Sequence, residues 1–307
     1  MESFATRLSR AITEKKTPLV VGLDPDPAQF PATLIPHQTA DPAAAATAIL
    51  EFNQGVIAAI ADLAVAVKPQ VAFYERYGWQ GMKALAETCA YAREKGLFVI
   101  LDAKRGDIPN TAAAYALAYL GPDTKSGCSS DALTVNPYLG RDSIQPFLQA
   151  AQENGKGVFI LARTSNRGAQ DLQDLTCGPE GKPLWQEVAA WVRGWAEMGR
   201  RSENYSSFGV VAGITSPKEA HHLRQLLPHS FLLLPGFGAQ GGKVADALPC
   251  FDAEGLGALV AASRSVIYAY AREPYKESFA PEGYASAARQ AAQDLLAELR
   301  AVGYPLR

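Results

Sequence analysis

Short apolar runs recur along the whole chain, and most are followed by a stretch with helical spacing. Eight stand out, at residues 18–24, 64–70, 97–104, 132–138, 157–164, 208–214, 231–237 and 257–262. Near-continuous apolar runs of this length read as strands buried on both faces, and their alternation with helices predicts a parallel sheet with helical crossovers. Eight strand–helix units in 307 residues fit an α/β fold of the (β/α)8 barrel type, with an open doubly wound sheet as the structural alternative. Helix starts are visible at Asp41-Pro42, ahead of an alanine-rich stretch, and at Ser216-Pro217-Lys218-Glu219, which has capping-box spacing with proline at the first helical position. The last helix should run over about 284–301. Ahead of the first strand, Phe4, Leu8 and Ile12 fall at helical spacing with Glu2, Arg7 and Arg10 between them. That pattern predicts an amphipathic helix that plugs the fold rather than a secretory signal. Residues 1–307 are therefore expected to form a single barrel domain with this helix at its N-terminus.

The spacing is uneven between the fifth and sixth strands, where a turn at 178–182 precedes a helix carrying Trp185, Trp191 and Trp195. Those tryptophans read as packing. A second irregular piece, 121–131, is rich in Gly and Ser and is expected near the active face or a subunit contact.

Composition narrows the partners. With 48% hydrophobic residues, 20% charged residues and a net charge of -2, the chain has an ordinary globular balance and no basic excess for nucleic acid or an anionic membrane. No apolar run approaches the about 20 residues needed to span a bilayer, and the longest candidate, 56–67, contains Asp62. The four cysteines, Cys89, Cys128, Cys177 and Cys250, show no CxxC pair and no zinc spacing, so no metal site is expected and a reducing, cytoplasmic location is.

The candidate chemistry gathers in VILDAKRGDIPNTAAAY at 99–115, where a hydrophobic strand runs into opposite charges. Side chains of a strand alternate in direction, so Asp102 and Lys104 should share a face, with Asp107 in the turn beyond and Asn110 placed to cap the helix that follows. A surface ion pair would explain that cluster alone. It would not explain polar residues at every predicted strand end: Asp24, Lys68, Asp102 with Lys104, Asn136, Thr164 with Ser165 and Asn166, Thr215 with Ser216, GFGAQGG at 236–242, and Ser263 with Arg264 and Ser265. Active sites of barrels gather there. Glycines at 236, 238, 241 and 242 would let backbone amides approach an anion, with Gln240 and Arg264 as further donors, which makes a phosphate site.

Seven motifs, in order, carry a resemblance: VGLDPDP at 21–27, VKPQVAFYERYG at 67–78, LDAKRGDIPNT at 101–111, LTVNPYLGRDS at 133–143, ARTSNRGAQ at 162–170, PGFGAQGG at 235–242 and SRSVIYA at 263–269. Together they resemble the orotidine 5'-phosphate decarboxylase family, in its longer bacterial-type subfamily. The resemblance implies decarboxylation of orotidine 5'-monophosphate to uridine 5'-monophosphate, the last step of pyrimidine nucleotide synthesis, with no cofactor. It implies a charged network of Lys68, Asp102, Lys104 and Asp107, with Lys104 as proton donor. Asp107 and Thr111 would come from a neighbouring subunit, so a homodimer with shared sites is implied. Asp24 would hold the ribose with Lys68, Ser165 would contact the pyrimidine, Gln240 would bridge base and phosphate, and Arg264 would bind phosphate. Ser263 departs from the Gly of shorter members.

Loss of carbon dioxide from C6 leaves a carbanion that the ring delocalises poorly. An ammonium kept charged by neighbouring carboxylates can stabilise and then protonate that carbon. Two other readings fit parts of the pattern: a Mg²⁺-dependent sugar-phosphate lyase or aldolase of the same superfamily, and a barrel that only binds a phosphorylated metabolite.

Overall fold

The computed structural model describes residues 2–34, 41–122, 128–199, 204–237 and 241–306. Eight parallel strands close into a barrel: β1 (Leu19–Leu23), β2 (Ala66–Pro69), β3 (Phe98–Arg105), β4 (Ala132–Val135), β5 (Gly157–Arg163), β6 (Ser206–Ala212), β7 (Ser230–Pro235) and β8 (Ala258–Ala262). Each pairs with its neighbours in sequence, and β8 returns to β1 through pairs such as Leu19 with Val260. The expected strands are all present, the sixth beginning two residues earlier than its apolar run suggested.

Strand alternation sorts the apolar residues into two cores. Leu19, Val21 and Leu23 of β1, Val99 and Leu101 of β3, and Val158 and Ile160 of β5 pack outward with the helices. Val20, Ala66, Ile100, Ala132, Phe159, Leu233 and Leu259 form the other core with Phe4, Leu8 and Ile12 of the first helix, Phe4–Lys15. That helix is fixed at its start by Ser3, whose hydroxyl accepts from the Thr6 amide at 3.1 Å. The helix thus seals the end of the barrel away from the strands' C-termini, and inward positions at the other end are free to be polar.

Helix starts follow the expected chemistry unevenly. Asp41 caps Pro42–Ile60 by accepting from the Ala43 amide at 3.0 Å. Ser216 precedes Pro217–Leu226 but makes no side-chain cap, and Asn110 lies inside Pro109–Leu120, whose preceding residue is Ile108. Proline at the first position makes up for both, because it sets the helical φ and brings no orphan N–H. Pro42–Ile60 is long and apolar enough to cross a membrane, contrary to the run-length reading. Its Ile49, Phe52, Val56, Ile57 and Ile60 are nevertheless buried, and Phe52 stacks on Phe30 at 4.3 Å and on Tyr284 at 4.9 Å.

The 178–182 turn closes a two-stranded antiparallel hairpin, Thr176–Cys177 with Lys182–Pro183. On the helix Leu184–Gly199 that follows, Trp185 and Trp195 are buried, and Trp191 packs under the Arg141 guanidinium at 4.9 Å. Of the 121–131 loop, residues 123–127 lie outside the described residues.

Candidate active site

Following the inward positions up each strand leads from the sealed end to a polar mouth: Val20, Gly22 and Asp24; Ala66 and Lys68; Ile100 and Asp102; Ala132 and Thr134; Leu259, Ala261 and Ser263. A cavity of about 460 Å³ opens there, within the range of small-molecule sites.

Asp102 is its electrostatic centre. Its Oδ1 accepts from Lys104 Nζ at 2.6 Å and from Thr134 Oγ1 at 2.9 Å. Its Oδ2 accepts from Lys68 Nζ at 2.9 Å and from Gln70 Nε2 at 3.2 Å. Four donors on two oxygens leave the carboxylate little freedom. Burial would raise the Asp102 carboxyl, but the Lys68 and Lys104 charges and their hydrogen bonds hold it well below the usual carboxylate range. Burial would likewise lower Lys68, yet the charges of Asp102 and Asp24 and the hydrogen bond to Asp102 keep its ammonium above the ordinary value. Lys68 and Asp102 are buried, whereas Lys104 is partly open and lines the cavity.

Plain alternation does not explain how Lys104 reaches Asp102. The register of β3 against β4 shifts between Leu101 and Arg105, and Lys104 has φ +48°, a left-handed backbone rare for a side-chain-bearing residue. The bend brings the ammonium back to a carboxylate two residues earlier. Thr134 marks the bend, because its Oγ1 accepts from the Lys104 amide at 3.0 Å.

Asp24, Lys68, Asp102, Lys104, Ser165 and Arg264 all line this one cavity. Asp24 Oδ1 is buried with no hydrogen-bond partner among the described residues, an acceptor aimed at a site that a ligand hydroxyl could fill. Asp107 and Thr111 do not line it: Asp107 accepts from the Ile108 amide at 2.8 Å, and Thr111 is exposed on the first turn of Pro109–Leu120. Gln240 and Gly238 lie outside the described residues, while Gly236, Phe237 and Arg264 supply the wall on that side. Asn136 instead caps the Pro137–Leu139 turn through the Tyr138 amide at 3.1 Å. Ser263 is accommodated because its neighbour on β1 is Gly22, where a Cβ would stand 1.8 Å from Ser263 Oγ.

Sequence reasoning missed Gln70, Thr134 and Gln173, while Asn166, expected at the end of the fifth strand, does line the cavity. A threonine between Leu133 and Val135 reads as a plain strand former, and only its parity with the mouth would have marked it. Gln173 donates to Thr164 Oγ1 at 2.8 Å and accepts from the Thr164 amide at 2.9 Å, which ties the segment carrying Ser165 to the barrel rim. Arg163 pairs with Asp174 at 3.1 Å, and Arg105 bonds to Glu75 and Tyr119; neither lines the cavity. Among the described residues, no cluster of three or more His, Cys, Asp or Glu side chains is placed to hold a metal ion.

Residues 17–277 match the model of the orotidine 5'-phosphate decarboxylase/HUMPS family. The orotidine 5'-phosphate decarboxylase of Rhodopirellula baltica is 42% identical over 98% of this chain and 100% of its own length. That of Caldicellulosiruptor saccharolyticus is 39% identical over 88% and 91%. Among solved structures, Leishmania donovani OMP decarboxylase superposes with a TM-score of 0.73 at 31% identity, covering 98% of both chains.

Proposed function

Because the chain belongs to the orotidine 5'-phosphate decarboxylase/HUMPS family, we propose that its cavity converts orotidine 5'-monophosphate to uridine 5'-monophosphate without a cofactor. The observation that carries this reading is the Lys104 ammonium, open to the cavity and held 2.6 Å from a carboxylate that three other donors pin in place. In the proposed step the bond from C6 to the carboxylate breaks, carbon dioxide leaves, and the electron pair remains on C6. The fixed ammonium stabilises that pair as it develops and then delivers its proton, which solvent replaces. Preorganisation matters because the donors need not reorient at the moment of reaction.

The other roles follow from position. The unpaired Asp24 Oδ1 accepts from a ribose hydroxyl, with Lys68 beside it; Ser165 meets the pyrimidine; Arg264 takes phosphate oxygens. For Gln240, outside the described residues, the bridge between phosphate and base rests on the family resemblance alone. Asp107 and Thr111, which do not reach the cavity of their own chain, serve the cavity of a second copy in a homodimer. Ile108, Leu117, Tyr138 and Leu139, exposed on the segments that follow neighbouring strands β3 and β4, favour that arrangement. In this reading the whole chain works as one barrel domain in the cytoplasm, where its four free cysteines stay reduced.

A Mg²⁺-dependent reaction at Asp102 is disfavoured because both of its oxygens are already taken by ammonium, hydroxyl and amide donors. The test is optical. Orotidine monophosphate incubated with the protein in excess EDTA should lose its longer-wavelength absorbance as uridine monophosphate forms. A flat trace at high protein concentration refutes the decarboxylase, and activity restored only by Mg²⁺ favours the lyase.

A further inference from the structure

Thr134 is buried in β4, and its side chain hydrogen-bonds both Asp102 and the Lys104 main chain. A hydroxyl has one proton to donate and lone pairs to accept. Here the proton goes to Asp102 Oδ1 at 2.9 Å, and a lone pair receives the Lys104 amide at 3.0 Å. The two bonds fix each other's direction, so the carboxylate oxygen that holds the Lys104 ammonium and the backbone that carries it are referred to one atom.

The need for such a link comes from the bend in β3. Between Leu101 and Arg105 the ladder to β4 is broken, and it resumes where the Asn136 amide donates to the Arg105 carbonyl at 2.8 Å. Inside that gap the Lys104 N–H has lost its strand partner, and its residue sits at φ +48°. A backbone in this conformation persists only when its surroundings over-determine it. The Thr134 hydroxyl stands in for the missing ladder acceptor.

We propose that Thr134 is a positioning residue for the decarboxylation, holding the bent Lys104 backbone so that its ammonium meets the reacting carbon. This rests on the proposed activity. Thr134→Val keeps the volume and branching but removes both hydrogen bonds. Misplacement of a catalytic group by about 1 Å can cost on the order of 100-fold in rate. Thr134→Val should therefore lower kcat by roughly 10- to 100-fold while KM for orotidine monophosphate stays within about threefold, because the ribose and phosphate contacts are untouched. Thr134→Ser, which keeps the hydroxyl and loses the methyl, should recover most of the wild-type kcat.

A role in packing alone predicts the reverse order, with valine tolerated and serine the worse variant. Wild-type kcat in Thr134→Val, or serine no better than valine, would overturn the proposal. If the valine variant does not fold, Thr134→Ser against Thr134→Ala decides: serine should exceed alanine at least about tenfold in kcat, and equality would overturn it. No turnover by the wild-type protein would instead refute the decarboxylase reading, so the two failures are separable.

Discussion

Removing Lys68 probes the charge network through folding stability, independently of turnover. Lys68→Met keeps the aliphatic stem and deletes the ammonium 2.9 Å from Asp102 Oδ2. At an effective dielectric of about 20, attraction at that separation is on the order of 6 kcal/mol. Burying both groups offsets much of this in the intact pair, but deletion of one partner leaves the other buried and undercompensated, which typically costs about 3–5 kcal/mol. Lys104 remains on the other Asp102 oxygen and relieves part of the loss, so about 3 kcal/mol is expected at pH 7.

The pH dependence supplies the sharper test. Asp102 has a lowered pKa in the fold, so its stabilisation is present above the unfolded value near about 3.9 and fades as pH falls through the folded one. Lys68 has a raised pKa, so its stabilisation is present below about 10.4 and fades as pH rises through the folded value. The gap between wild type and Lys68→Met should be widest between these limits and narrow outside them. Urea unfolding at pH 2, 3.5 and 7 measures it. A variant as stable as wild type at pH 7, or a gap that does not change on acidification, would refute the reasoning.

Lys104→Ala should lose at least about 1,000-fold in kcat while still binding uridine monophosphate by calorimetry, since the phosphate and ribose contacts remain. Asp24→Ala should raise KM by roughly 10- to 100-fold, the effect of one hydrogen bond to a charged group, with a smaller change in kcat in steady-state assays. Gly22→Ala should destabilise the barrel by about 1–3 kcal/mol through collision with Ser263, and adding Ser263→Gly should restore most of the loss in a thermal melt. Equal volumes of Asp107→Ala and Lys104→Ala proteins, mixed under conditions that exchange subunits, should regain activity that neither has alone if sites are shared between chains.

The barrel was legible because its strands are buried on both faces. Such strands need unbroken apolar runs, and the runs at 18–24 and 257–262 surround β1 and β8 closely. Lys68, Asp102 and Lys104 were legible because charge at the end of an apolar strand has few plain explanations. What stayed hidden depends on local geometry. The left-handed bend at Lys104 has no Gly or Asn to announce it, and Thr134 is disguised by the Leu133 and Val135 beside it. Asn136 is polar and at a strand end, yet its side chain is used to cap the next turn. Asp107 and Thr111 do not line the cavity of their own chain, so the geometry of one chain gives them no role there.

The decisive measurement is a crystal structure of the protein with uridine monophosphate bound. Lys104 Nζ should lie about 3–3.5 Å from C6 of the ring with Asp102 still holding it, the spacing at which a proton can pass. An ammonium turned away from C6 toward solvent, with the nucleotide seated in the cavity, would contradict the mechanism.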